Sequence, residues 1–222
     1  MKISRYFDSA VLKPEMTEDE VKQAILECIA CDSRTVCVRP CDIDLALQLT
    51  KGTDTEVSCV LDFPHGDSTA EGKAALAELY ANKGVVEIDM VMNYGYARSG
   101  KWDEVKAGIE NVVKAAKKNG VGVKVIMETC QLSEEQIKKA TKVAIEAGAD
   151  FVKTSTGFSK SGASVEAVEA MLSAAEGKIK VKASGGIRNY ETAKMYMDMG
   201  VDRLGIGFGS AVKITEGEKL SR

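Results

Sequence analysis

The chain has 222 residues, 45% of them hydrophobic and 28% charged, with a net charge of −3. That is enough chain for one large core, and without a basic stripe or an aromatic-plus-basic cluster nucleic acid is excluded as an expected partner. No apolar stretch is long enough to span a membrane and Met1–Arg5 does not read as a secretory signal, so a cytoplasmic protein is expected.

In chain order, a weak strand around Arg5–Leu12 precedes an amphipathic helix over Thr17–Ala30. Strands then follow at Thr35–Val38, Val57–Phe63, Glu87–Met92, Gly122–Glu128, Phe151–Ser155, Lys178–Ala183 and Arg203–Ile206. Helices separate them, near Asp42–Leu49, Thr69–Asn82, Trp102–Asn119, Ser133–Ala147, Ser164–Ala175 and Tyr190–Met199. Ser133 with Gln136 has the spacing of a capping box, and Gly120, Gly148 and Gly200 stand where helices must stop. Strands alternating with helices imply parallel pairing and right-handed crossovers. Eight such units in a chain of this length predict one α/β domain over 1–222, a single (β/α)8 TIM barrel. A doubly wound open sheet is the second choice, but no Gly-x-Gly-x-x-Gly follows the first strand.

The strands carry charge on one parity only. Glu87 and Asp89, Lys124 and Glu128, Lys153 with Ser155, and Lys180, Lys182 and Ser184 each share a face. Ile88, Met90, Val123, Val125, Met127, Val152, Ile179 and Val181 fill the other. Helices cover the outside of a barrel, so the apolar parity faces out and the charged parity points inward. A nearly balanced ionic interior is not needed for stability, and a functional site explains it better. Lys180 fits least well, since it falls a layer below Lys182, and its ammonium is expected at the bottom rim.

Lys153 and Lys182 end two consecutive strands. A solvated lysine is almost wholly protonated at pH 7. A second ammonium nearby, with burial, disfavours the charged form and makes the amine a nucleophile. The C-terminal rim, where such barrels carry their sites, also collects Asp8, Cys37, Asp89 and Glu128. Glycine-rich turns there, Ser155–Gly157, Ser184–Gly186 and Gly205–Ser210, would let backbone N–H groups approach an anion. Read as plain turns, they would carry no ligand.

The runs Phe151–Phe158, Val181–Arg188, Glu87–Val91 and Lys124–Thr129 are together similar to the deoxyribose-phosphate aldolase family, collinear from about Asp8 to Gly209. The resemblance implies a class I aldolase, a lyase that joins acetaldehyde and glyceraldehyde 3-phosphate reversibly to 2-deoxyribose 5-phosphate without metal or cofactor. It assigns Lys153 as the Schiff-base lysine, Lys182 as the lysine that depresses its pKa and relays protons, and Asp89 as the carboxylate that moves the proton at the enamine carbon. Substrate-binding positions are implied at Asp8, Cys37, Thr156, Gly157, Gly185, Gly186, Gly207 and Gly209. The partners implied are a small aldehyde and a sugar phosphate, with a homodimer as the family habit.

Three departures stand out. Ala10 replaces a usual threonine, Arg39 replaces a frequent asparagine and adds a positive charge beside the second strand, and Gly207 and Phe208 stand where paired serines are usual. The last of these predicts weaker phosphate affinity or an acceptor with a less charged tail. A non-catalytic phosphosugar-binding barrel is the other reading. A metal-dependent aldolase is disfavoured, since His65 is the single histidine. Cys28, Cys31, Cys37 and Cys41 have spacing open to a metal site, but Cys28 lies on an apolar helix stripe and Cys37 inside a strand, so buried thiols are preferred.

Overall fold

The computed structural model describes residues 2–221; Met1 and Arg222, the ends of the expected 1–222 domain, lie outside the described residues. Eight parallel strands close into a barrel in sequence order: β1 (Phe7–Val11), β2 (Thr35–Val38), β3 (Glu56–Leu61), β4 (Glu87–Val91), β5 (Gly122–Ile126), β6 (Phe151–Lys153), β7 (Lys180–Ser184) and β8 (Arg203–Gly207). The helices are α1 (Glu18–Ala30), α2 (Ile43–Thr50), α3 (Ala70–Lys83), α4 (Tyr94–Arg98), α5 (Trp102–Lys117), α6 (Glu134–Glu146), α7 (Val165–Ala175), α8 (Tyr190–Asp198) and α9 (Phe208–Leu220).

The helix starts follow from capping chemistry. Thr17 and Glu20 form a capping box at α1, and Ser133 and Gln136 form the expected one at α6; each such cap stabilises a helix by about 1 kcal/mol. Between strands and helices lies a continuous apolar layer in which Ile88, Met90, Val123, Val125, Val152 and Val181 meet Ile25, Ile109, Ala144 and Met171. Apolar burial of this kind contributes about 25 cal/mol per Å2. It leaves the inward parity of the strands free to carry polar groups.

Two helices depart from the expected pattern. The short α4 follows β4, and α9 runs for 13 residues directly from β8. Gly209 and Gly217 weigh against α9 by propensity. It is held by tertiary packing: Ala211 and Ile214 are buried, and Gly217 lies so close to the Tyr190 side chain that a Cβ would collide with it. Among the described residues no helix is long and apolar enough to cross a membrane.

Candidate active site

Strand register brings the charged residues together. Lys153 on β6 pairs directly with Lys182 on β7, and Lys182 pairs on its other side with Arg203 on β8. Asp89 on β4 pairs with Lys124 on β5, and Asp8 on β1 lies between Thr35 and Gly205. Lys124, Lys153, Lys182, Asp8 and Asp89 are all buried.

Asp89 sits at the centre of this cluster. Its Oδ2 accepts from Lys153 Nζ and Lys182 Nζ, both at 2.8 Å, and its Oδ1 from Lys124 Nζ at 2.9 Å. Asp8 Oδ2 lies 2.6 Å from Lys182 Nζ and 3.4 Å from Lys124 Nζ, while its Oδ1 accepts from Arg203 and Thr35, each at 2.9 Å. Lys124 also reaches Glu87 at 2.5 Å. Below them the Phe151 ring closes the floor, with Lys124, Lys180 and Arg203 at 5.6, 5.2 and 5.4 Å from its centroid. Lys180 is exposed there, at the bottom rim as expected.

The titration of the lysines separates along this geometry. Burial and the Lys182 ammonium push Lys153 down, against the pull of Asp89. Burial also penalises charge on Lys182, but Asp8 and Asp89 outweigh it and raise its pKa. Lys124 is raised further, burial being outweighed by Asp8, Asp89 and Glu87. Burial opposes ionisation of Asp89, yet Lys124, Lys153 and Lys182 hold it well below the usual carboxylate range. Of these three lysines, Lys153 is thus the one that most readily gives up its proton.

Above the lysines opens a cavity of about 590 Å3. Lys153, Lys182, Asp8, Cys37, Thr156, Gly157, Gly185, Gly186, Gly207 and Gly209 all line it. Asp89 alone among the expected site residues does not; it lies beneath, fully buried, reached through the two lysines. Gly185 and Gly186 turn with φ of 88° and 82°, open to glycine at little cost. Gly185 also packs backbone to backbone against Gly162, leaving no room for a side chain at either. The open first turn of α9 faces the cavity with Phe208, Gly209 and Ser210.

Three features differ from the sequence reading. Glu128 does not join the lysines: β5 ends at Ile126, and a left-handed φ of 55° lets the Glu128 carboxylate accept from the Thr156 hydroxyl and from Thr156 N. Instead it holds Thr156, which is itself a wall residue of the cavity. Arg39 adds no charge to the cavity, because its guanidinium is consumed by Asp42 at 2.6 and 3.2 Å and by the carbonyls of Lys13, Pro14 and Met16. It fastens the loop after β1. Sequence reasoning also missed Arg203 as an interior cation, and missed Leu12, Lys13, Phe158, Ile187 and Arg188 as cavity walls.

All six cysteines are free thiols. Cys37 lies beside the lysines, and burial raises its pKa, so it stays uncharged. Among the described residues no group of three or more His, Cys, Asp and Glu side chains is arranged to hold a metal ion.

Comparison with known proteins agrees with this geometry. The model of the DeoC/LacD family aldolases matches residues 3–208. The deoxyribose-phosphate aldolase of Caldanaerobacter subterraneus subsp. tengcongensis is 46% identical over 217 residues, which are 97% of this chain and 93% of the relative. That of Streptococcus sanguinis is 43% identical over 221 residues, covering 100% of this chain and 99% of the relative. Among solved structures, the aldolase QR15 superposes with a TM-score of 0.91 at 39% identity, covering 99% and 96% of the two chains. The deoxyribose phosphate aldolase from Aeropyrum pernix, described as a unique tetramer, superposes with a TM-score of 0.89 at 30% identity, covering 99% and 92%.

Proposed function

The chain belongs to the DeoC/LacD aldolase family, and from that premise we infer that it is a class I aldolase cleaving 2-deoxy-D-ribose 5-phosphate reversibly to D-glyceraldehyde 3-phosphate and acetaldehyde. One observation carries this reading: a buried amine with a depressed pKa, Lys153, stands at the base of a cavity in register with a second lysine that stays charged.

In this mechanism the neutral Lys153 amine attacks the C1 aldehyde of the open-chain sugar. The carbinolamine loses water to give an iminium, which acts as an electron sink. Loss of the proton from the C3 hydroxyl breaks the C2–C3 bond, releases glyceraldehyde 3-phosphate and leaves the enamine. A proton delivered to C2 restores an iminium, and water then frees acetaldehyde and the lysine. Proton delivery at C2 is assigned to Asp89 through Lys182. Lys182 lines the cavity while its ammonium bonds to Asp89 below, which supports a relay of this kind.

The phosphate is assigned to the distal end of the cavity, where Gly186, Gly207, Gly209 and the start of α9 offer backbone N–H groups and helix-dipole charge. Thr156 and Gly157 form the adjoining wall, and Asp8 and Cys37 line the floor beside the lysines. Since Phe208 contributes a ring there and no hydroxyl, the hold on the phosphate is weaker than paired serines would give. The testing experiment is a coupled assay of acetaldehyde and triose phosphate release from 2-deoxyribose 5-phosphate by the purified protein. Stoichiometric release of both products is expected; absence of either, with the protein folded, contradicts the reading.

A further inference from the structure

We propose that Arg203 is a positioning residue that keeps Lys153 uncharged, by placing one more cation than carboxylate inside the barrel. The inference rests on the Schiff-base reading above and adds to it the source of the amine's neutrality.

The count follows from the contacts. The interior network holds the carboxylates Asp8, Glu87 and Asp89 against the cations Lys124, Lys153, Lys182 and Arg203. Without Arg203 the lysines and carboxylates would balance with every lysine charged. Arg203 removes that balance: it donates to Asp8 at 2.9 Å and to Glu87 at 3.4 Å through both terminal nitrogens, while its guanidinium rests on the Phe151 ring. An arginine does not deprotonate. A buried excess charge is expensive, so one lysine must yield its proton.

Geometry selects which one. Lys124 touches three carboxylates and Lys182 touches two. Among the described residues the one carboxylate paired with Lys153 is Asp89, through Oδ2, an oxygen it shares with Lys182. The least compensated amine is therefore Lys153, in line with its lowered pKa and the raised values of the other two.

Among the described residues no other group forms an ion pair with the cluster. Cys37 on β2 and Cys59 on β3 are buried thiols whose pKa values are raised, so both stay neutral. Glu128 beyond β5 accepts from Thr156 and, among the described residues, forms no ion pair with the cations of the cluster, and Lys180 lies in solvent beneath Phe151. Lys13 and Arg188 stand at the cavity mouth. Asp8 from β1, Glu87 and Asp89 from β4, Lys124 from β5, Lys182 from β7 and Arg203 from β8 complete the inventory around Lys153.

The sign of each substitution is fixed by this account. The neutral amine forms as pH rises through the Lys153 pKa, so imine formation has an acid limb. Arg203→Leu removes the excess cation, favours protonated Lys153 and moves that limb to higher pH. Glu87→Gln removes a carboxylate, deepens the excess and moves it lower. Arg203→Leu combined with Glu87→Gln brings it back.

The experiment is the pH dependence of cyanoborohydride trapping of acetaldehyde, read as the adduct on the Lys153 peptide by mass. Arg203→Leu is expected to raise the midpoint by about one pH unit, a tenfold loss of neutral amine on the acid side. Arg203→Lys, which keeps the charge, should stay closer to the parent protein. Glu87→Gln should lower the midpoint, and the double variant should lie between the two single ones. Midpoints that stay put, or single variants that move the same way, overturn the assignment. If circular dichroism shows Arg203→Leu unfolded, Glu87→Gln decides alone: a lower midpoint supports the assignment, and an unchanged or higher one overturns it. If the parent protein gives no Lys153 adduct, the Schiff-base reading falls and this inference with it. A parent adduct with unmoved midpoints overturns the role of Arg203 alone.

Discussion

In the lower interior of the barrel, between Phe151 and the Nζ atoms of Lys153 and Lys182, each basic side chain is bonded to at least one carboxylate, and all of them are carried by strands. At the rim above, the cavity is walled by backbone of the Gly185–Gly186 turn, by the first turn of α9 and by the rings of Phe158 and Phe208. Phe158 leans edge-on against Phe63 at 5.2 Å and is half exposed. The floor is a closed electrostatic system in which one substitution changes the protonation of several groups. At the rim, side chains can change with only local effect. In the proposed mechanism the first region supplies the reacting amine and its proton relay, and the second holds the phosphate.

Asp89→Asn gives the largest break in this contrast. It removes the counter-ion shared by three lysines. Stability should fall by about 3–5 kcal/mol, because charges are left buried without their partner. The kcat/KM for sugar phosphate cleavage should fall by about two to four orders of magnitude, as expected for loss of a proton-transfer group. Thermal melts and steady-state kinetics measure both; near-parental values in either would contradict a floor organised around Asp89.

A smaller effect sharpens the comparison at the rim. Phe208→Ser offers a hydroxyl at the start of α9. A hydrogen bond to a charged group is worth about 1.5–3 kcal/mol, so KM for 2-deoxyribose 5-phosphate should drop by about tenfold. The kcat and the rate of Lys153 trapping by acetaldehyde should stay within about twofold, since Phe208 lies outside the ionic network. A change in trapping rate larger than the change in KM would show that rim and floor act as one unit.

The two regions also differ in how far the sequence reveals them. On β4, β5, β6 and β7, charged residues alternate with apolar ones, and that period placed Asp89, Lys124, Lys153 and Lys182 inside the barrel. Arg203 escaped the same reasoning because its strand continues on the same face with Gly205 and Gly207, which have no side chains to mark an inward side. Glu128 kept the period but not the place: a residue in a left-handed conformation after the last β5 residue no longer follows strand alternation. Arg39 was legible as a charge, but its consumption by Asp42 and three loop carbonyls depends on loop folding that no period encodes. For the same reason Leu12, Ile187 and Arg188 were not seen as walls. The glycines of α9 hid a helix that packing, and not propensity, maintains.

Borohydride trapping followed by peptide mass mapping tests the central claim most directly. The protein is incubated with 2-deoxyribose 5-phosphate and, separately, with acetaldehyde. The account predicts a reduced two-carbon adduct on Lys153 from acetaldehyde, a reduced adduct on the same lysine from the sugar phosphate, and none on Lys182, whose ammonium is held by Asp8 and Asp89. Adducts on Lys182 in place of Lys153, or no adduct with either compound, would contradict it.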